Sequence, residues 1–369
     1  MFHQGGISLN DILHPRPNPI VAAMYTLRDL DVDVILIHGP AGCGFMPSRR
    51  LEEAGVRVMT TGMQENDLIF GAEEKLIRIL KHIDSSYAPS LIGVVGTCSS
   101  MIIGENLDGA VKKADVKAKV LCVDVHGCSG PNTSGAIRTL EVASLGGVIS
   151  KEEADRQIAI LQRATLIERE KGLTSREYLE PHPGATKLSA ALRIVNTLRS
   201  GGKVAVAINA KKETAYGFAD LIKAVDYAKA KVGGSSEYIG NLALNIGLPR
   251  IRRYAQDITN DLASSGITNV SITGGLDEYP VLGDACAKAL ESSNADLRII
   301  AGLPHIVPNL KIDDILVTDQ PREIRNYIDK GFEYSIGEIN THAAVMGAKA
   351  IIPSELGNTI REVVDGGII

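Results

Sequence analysis

Short apolar runs alternate with amphipathic stretches along almost the whole chain. Runs at 33–37, 91–95, 120–125, 203–208, 268–272, 297–301 and 314–317 are short, rich in β-branched residues and apolar on both faces. Strands buried between two layers of helices read this way, because neither face meets water. Between them, apolar residues recur at helical spacing over 20–30, 72–82, 216–231, 251–264, 281–292 and 321–330. The rhythm predicts an α/β protein: parallel sheets with helices on both faces, in two to three Rossmann-like domains.

The clearest internal boundary lies at 150–172. Ser150 followed by Glu153 is a capping-box pattern. Ala154, Ile158, Leu161 and Ala164 then share one helical face, and Gly172 suits a helix end. The stretch LEPHPGATK beyond it reads as a loop. We therefore expect a first domain over 1–170 that includes this linker helix, a second over 171–279 and a third over 280–369, the last break falling near Gly274–Pro280. The sequence contains no tandem repeat and no low-complexity tract.

Composition narrows the class. The chain has 369 residues, 39 basic and 44 acidic side chains and a net charge of −5, which argues against a nucleic-acid partner. Aromatic residues are 4% of the total and Trp is absent, so the core must be aliphatic and base-stacking platforms are not expected. Apolar residues at 44% suit a large core. No apolar run reaches the length of a membrane span, and the polar, Pro-rich N-terminus lacks a signal-peptide core, so a cytoplasmic protein without membrane contact is expected. Five cysteines do not make a disulfide framework there; metal ligation or a reactive thiol is the better reading.

In open parallel sheets, ligands bind beyond the carboxyl ends of the strands. Three consecutive strand ends each carry a cysteine in a Gly-containing loop: HGPAGCGF with Cys43, GTCSSMIIGEN with Cys98, and HGCSGP with Cys128. Thiolates among close backbone N–H donors suit an iron–sulfur cluster. Small structural cysteines are the plain alternative. Zinc lacks its usual local spacing. A Cys nucleophile with His38 as base would need a third, orienting group that the sequence does not identify. Cys122, inside a strand, and Cys286, on a helical pattern, read as core residues. Neither GxxxxGK[ST] nor GxGxxG occurs, so ATP, if used, belongs to another protein.

The two cysteine loops HGPAGCGF and GTCSSMIIGEN, with TTGMQENDLIFGAEEKL between them, resemble the nitrogenase component 1 family in order and spacing. HPRPNPIVAAMYTLRDLDVDV, NAKKETAYGFAD, GLPRIRRYAQDIT and GGLDEYPV extend the resemblance over essentially the whole chain. There the similarity is to the small catalytic subunits of nickel-sirohydrochlorin a,c-diamide reductive cyclases of coenzyme F(430) biosynthesis.

That resemblance implies a homodimer that reduces the nickel tetrapyrrole by six electrons and closes a lactam ring. Electrons would come from a nitrogenase-reductase-like iron protein, which would use the ATP and Mg that this chain does not bind. Residues 10–30 hold no Cys, where the larger family members carry their first cluster ligand. Neither a P-cluster nor an iron–molybdenum cofactor is therefore expected. Two cysteines per chain fill half of a 4Fe-4S cluster, and a twofold dimer supplies the rest. Cys43 and Cys98 are the expected ligands, with Cys128 a competing one. A carboxylate-rich substrate calls for cations, for which Arg16, Lys211 and Lys212 are candidates; His14 and His305 are candidate acids. The alternatives are a non-enzymatic metallocofactor scaffold or carrier, and a reductase of another tetrapyrrole.

Overall fold

The computed structural model describes residues 18–171, 184–278, 281–338, 345 and 347–366. The chain divides into two compact units, and the main division falls between Thr174 and Ser175.

The first unit is built on a four-stranded sheet in the order β2-β1-β3-β4. Its strands are β1 (Val34–His38), β2 (Arg57–Thr60), β3 (Leu91–Gly96) and β4 (Lys119–Val123). Every pairing is parallel. All five residues of β1 are buried, as a strand between two neighbours and two helical layers requires. Leu76, Leu80 and Ile83 of the helix Glu73–Tyr87 pack on Val34, Leu36, Ile92 and Val94. On that helix the three apolar residues recur at the i, i+4, i+7 spacing of one face. The helix Pro19–Asp29 begins where Asn18 Oδ1 accepts from Val21 N at 2.9 Å, with Pro19 at its first position.

The second unit is built on a six-stranded parallel sheet in the order β10-β9-β8-β5-β6-β7. Its strands are β5 (Lys203–Asn209), β6 (Ser235–Gly240), β7 (Val270–Ile272), β8 (Leu297–Gly302), β9 (Ile315–Thr318) and β10 (Tyr334–Gly337). This corrects the expected third domain. β5 lies before residue 280 and β8 after it, yet the two are hydrogen-bonded neighbours from Val204–Leu297 to Asn209–Gly302. Residues beyond 280 extend one sheet rather than starting another. The Gly-containing stretch at 274–278 follows β7 of that same sheet.

All seven expected strands are present within a residue or two of their ends. β2, β6 and β10 were not expected. β2 is an edge strand with exposed or half-buried residues, and β6 opens on Ser-Ser-Glu, so neither shows the continuous apolar run of a central strand. The expected helix over 216–231 is two consecutive pieces, Ala215–Phe218 and Asp220–Val232. The linker helix runs Lys151–Lys171. Ser150 Oγ accepts from Glu153 N at 3.2 Å, while the Glu153 carboxylate takes Arg156 and Gln157. Among the described residues no helix is long and apolar enough to cross a membrane.

A candidate cluster site at the first sheet's switch point

From β1 the chain moves to β2 on one side, and β3 lies on the other side of β1. The carboxyl ends of β1 and β3 thus form the switch point where open parallel sheets bind ligands. Cys43 follows β1 in a short 3-10 turn, Ala41–Gly44, and Cys98 opens the helix Cys98–Ile102 directly after β3. Cys128 follows β4, the next strand along. The fold places the three thiols at one edge of one sheet.

Cys98 Sγ lies 3.5 Å from Cys128 Sγ and accepts a hydrogen bond from Gly127 N at 3.1 Å. Cys43 and Cys98 are half-buried and Cys128 is exposed. Burial pushes the Cys43 thiol up, the neighbouring Cys98 adds to this, and a hydrogen bond with the Thr97 side chain partly opposes it. Cys128 is also pushed up, chiefly by its hydrogen bond with Cys98. The Cys43 and Cys128 thiols therefore hold their protons more tightly than free thiols, and a metal must displace them. Among the described residues, no three His, Cys, Asp or Glu side chains are grouped so as to hold a metal ion.

Thr97 ties the first two loops together. Its side chain is fully buried, and Thr97 Oγ1 donates to the His38 carbonyl at 3.1 Å. Gly39 lies so close that a Cβ there would sit 2.2 Å from Thr97 Oγ1. At Gly44 a Cβ would fall 1.8 Å from Ile37 Cδ1. Gly39 and Gly44 of the Cys43 loop are thus demanded by packing, whereas a Cβ at Gly42 would meet nothing within 4 Å.

His38 does not serve a thiol. Its ring is buried, with Nδ1 3.2 Å from Thr61 Oγ1 and Nε2 3.6 Å from Glu105 Oε2. Burial lowers its pKa, against the opposing charge of Glu105. The third group that a Cys–His pair would need is present in Glu105, but the neighbours of both ring nitrogens are the Thr61 and Glu105 oxygens. The nucleophile alternative is set aside on this geometry. Cys122 and Cys286 lie in the two apolar cores, as expected; burial raises both thiols, Cys286 to about 12.

Exposed apolar side chains sit on the helices that follow the strands of this sheet. Phe45 is 77% exposed, Phe70 84% and Ile102 78%. Each belongs to a helix that follows the carboxyl end of β1, β2 or β3.

The remaining candidates are not gathered here. Lys211, Lys212 and His305 follow β5 and β8 in the second unit. His305 lines a cavity of about 220 Å³ with Val307, Glu323, Tyr327 and Lys330. His14 and Arg16 lie outside the described residues. Reading the sequence for chemistry missed Thr97, because the signal, a hydroxyl just before the cysteine, is shared by any helix cap.

The sequence model of the family described as nitrogenase component 1 type oxidoreductase matches residues 19–182. The chain is 44% identical over 353 residues to the Ni-sirohydrochlorin a,c-diamide reductive cyclase complex component CfbD of Methanothermobacter thermautotrophicus, covering 95% of this chain and 98% of that one. It belongs to this reductive cyclase component family. The CfbD component of Methanosarcina acetivorans is 41% identical over 359 residues, covering 95% of this chain and 97% of that one. The nitrogenase iron–molybdenum cofactor biosynthesis protein NifE of Nostoc is 38% identical over only 26% of this chain. A solved nitrogenase Cp1 structure covers 98% of this chain and 90% of its own at 13% identity, with a TM-score of 0.37. The α/β assignment rests on the family match and the parallel sheets.

Proposed function

We propose that this chain is the catalytic subunit of an ATP-dependent, nitrogenase-like reductive cyclase acting on Ni-sirohydrochlorin a,c-diamide. Full-length similarity to components bearing that name carries the reading. The scaffold alternative has a match over about a quarter of the chain, against 95% for the cyclase components.

The donor set suits an iron–sulfur cluster, which would supply one-electron transfer at low potential. Cys43 and Cys98 of each chain would be its ligands in a homodimer, with Cys128 competing. The twofold dimer is favoured by the exposed Phe45 and Ile102, which flank the two thiols and would be covered by a second copy. The chain's own part is to hold the sulfurs, exclude water around them and direct Gly127 N–H onto Cys98 Sγ. A separate iron protein would deliver electrons and hydrolyse ATP, since this chain carries no phosphate loop. The products would be the reduced, lactam-closed precursor of coenzyme F(430).

Anaerobic turnover tests this. The purified chain, given the iron protein, ATP, Mg and a reductant, should convert the nickel tetrapyrrole, and iron analysis should give about four irons per dimer. A chain that binds the tetrapyrrole unchanged in that mixture would be a carrier, and the enzyme reading would fail.

A further inference from the structure

In the six-stranded sheet the chain leaves β5 for β6 on one side, and leaves β8 for β9 on the other. The ends of β5 and β8 thus flank a second switch point. The last registered pair there is Asn209 with Gly302, and Gly302 in turn pairs with Thr318 of β9. Two residues earlier, Ala207, Ile300 and Leu316 belong to the apolar core. With a side-chain period of two, Asn209 lies on that same core face. It is 1% exposed.

Its polar neighbours are satisfied. Thr318 Oγ1 donates to Gly302 O at 3.0 Å, and Asn241 binds the backbone N–H and C=O of Ala210 at 3.1 and 2.5 Å. Asn209 is not satisfied: among the described residues neither Nδ2 nor Oδ1 has a hydrogen-bond partner. Thr273 Oγ1 after β7 and Gln320 Oε1 after β9 are in the same condition at the same edge. A buried carboxamide with both ends open is costly, and an apolar residue like Ala205 or Ala207 would remove that cost. Its placement at a switch point favours a ligand.

We propose that Asn209 is a binding and specificity group for a primary carboxamide arm of the tetrapyrrole. This rests on the substrate reading above. A carboxamide presents one donor and one acceptor side by side, so two primary amides pair through two N–H···O bonds. An ionised carboxylate offers acceptors only and would face Asn209 Oδ1 without a donor. Asn209 therefore distinguishes the diamide from the non-amidated ring. Lys211 and Lys212 follow within three residues, at a turn suited to the ring's remaining carboxylates. Lys212 holds a φ of 46°, a left-handed conformation unfavourable for Lys.

Equilibrium dialysis of the purified dimer with Ni-sirohydrochlorin a,c-diamide and with non-amidated Ni-sirohydrochlorin tests this. The wild type should hold the diamide roughly tenfold or more tighter, as two hydrogen bonds allow. Asn209→Ala and Asn209→Ser should bring the two affinities within about threefold by weakening the diamide alone. Folded variants that keep the wild-type preference would overturn the assignment. Asn209→Leu with a raised melting temperature and the preference intact would show that the amide holds only a buried water, and would overturn it too. Were the wild type to bind neither ring, the substrate reading itself would fall and this inference with it.

Discussion

Cys43 and Cys98 are 55 positions apart in sequence, and one hydroxyl at Thr97 fixes the turns that carry them. Its bond to the His38 carbonyl joins the loop after β1 to the loop after β3. Thr97→Val keeps the shape and removes that bond, at a cost of about 1 kcal/mol. It should lower the iron retained per dimer by more than half, or move the cluster's midpoint potential, while Thr97→Ser stays near wild type. Equal iron and equal potential in Thr97→Val would show that packing alone sets the loops. Cys43→Ala and Cys98→Ala should each abolish the cluster, whereas Cys286→Ala should leave iron content unchanged and cost about 1–2 kcal/mol from a filled core. Cys128→Ala decides the competing assignment: unchanged iron makes Cys128 a neighbour, lost iron makes it a ligand.

At the scale of elements, the first sheet is pinned at its amino edge by Asp33. Its Oδ2 accepts from Ser90 N and Ser90 Oγ at 2.8 Å and from Leu91 N at 3.0 Å, joining the start of β1 to that of β3. Burial alone would raise this carboxyl, but the hydrogen bonds from Leu91 and Ser90 hold it below its ordinary value. The folded state binds the proton less tightly than the unfolded chain. The stabilisation is therefore complete above the unfolded pKa of about 3.9 and fades as pH falls towards the lower folded value. Asp33→Ala should cost about 1 kcal/mol at pH 7, and thermal unfolding curves of mutant and wild type should converge as pH falls below the lowered folded value. A gap that persists at acid pH would assign the effect to packing. In the second sheet the buried Arg298–Asp314 pair is the stronger tie, with Arg298 Nε 2.7 Å from Asp314 Oδ1 and both side chains almost fully enclosed. Asp314→Ala leaves the guanidinium unpaired and should cost about 3–5 kcal/mol in chemical denaturation.

At the scale of the whole molecule, the proposed pair of cysteine ligands per chain would require a second chain, and the exposed Phe45 and Ile102 would give that chain something to cover. Ile102→Glu should convert a dimer to a monomer in sedimentation and lose the cluster with it. Ile312→Glu, an exposed apolar site in the second unit, should do neither. A cluster-bearing Ile102→Glu monomer would place all the ligands within one chain.

The central strands and the cysteine loops were legible because their signals are local. A strand buried on both faces must be apolar throughout, and a loop packed as closely as the one after β1 must carry glycine. The edge strand β2 and the strand β6, whose first three residues are exposed or half-buried, escaped, since contact with water relaxes that demand. The break expected at 274–280 was a turn signal, and a turn says nothing about which strands pair across it. The gathering of three thiols, the Thr97 tie and the unpartnered Asn209 amide also depend on strand order. β1 lies beside β3, and β5 beside β8, only because parallel strands are joined by crossovers that pass over their neighbours. The sequence by itself determined which residues are buried and which bear chemistry, because burial and backbone freedom act within a few residues. Tertiary structure alone decided which of them meet, because strand order sets contacts between residues far apart in the chain.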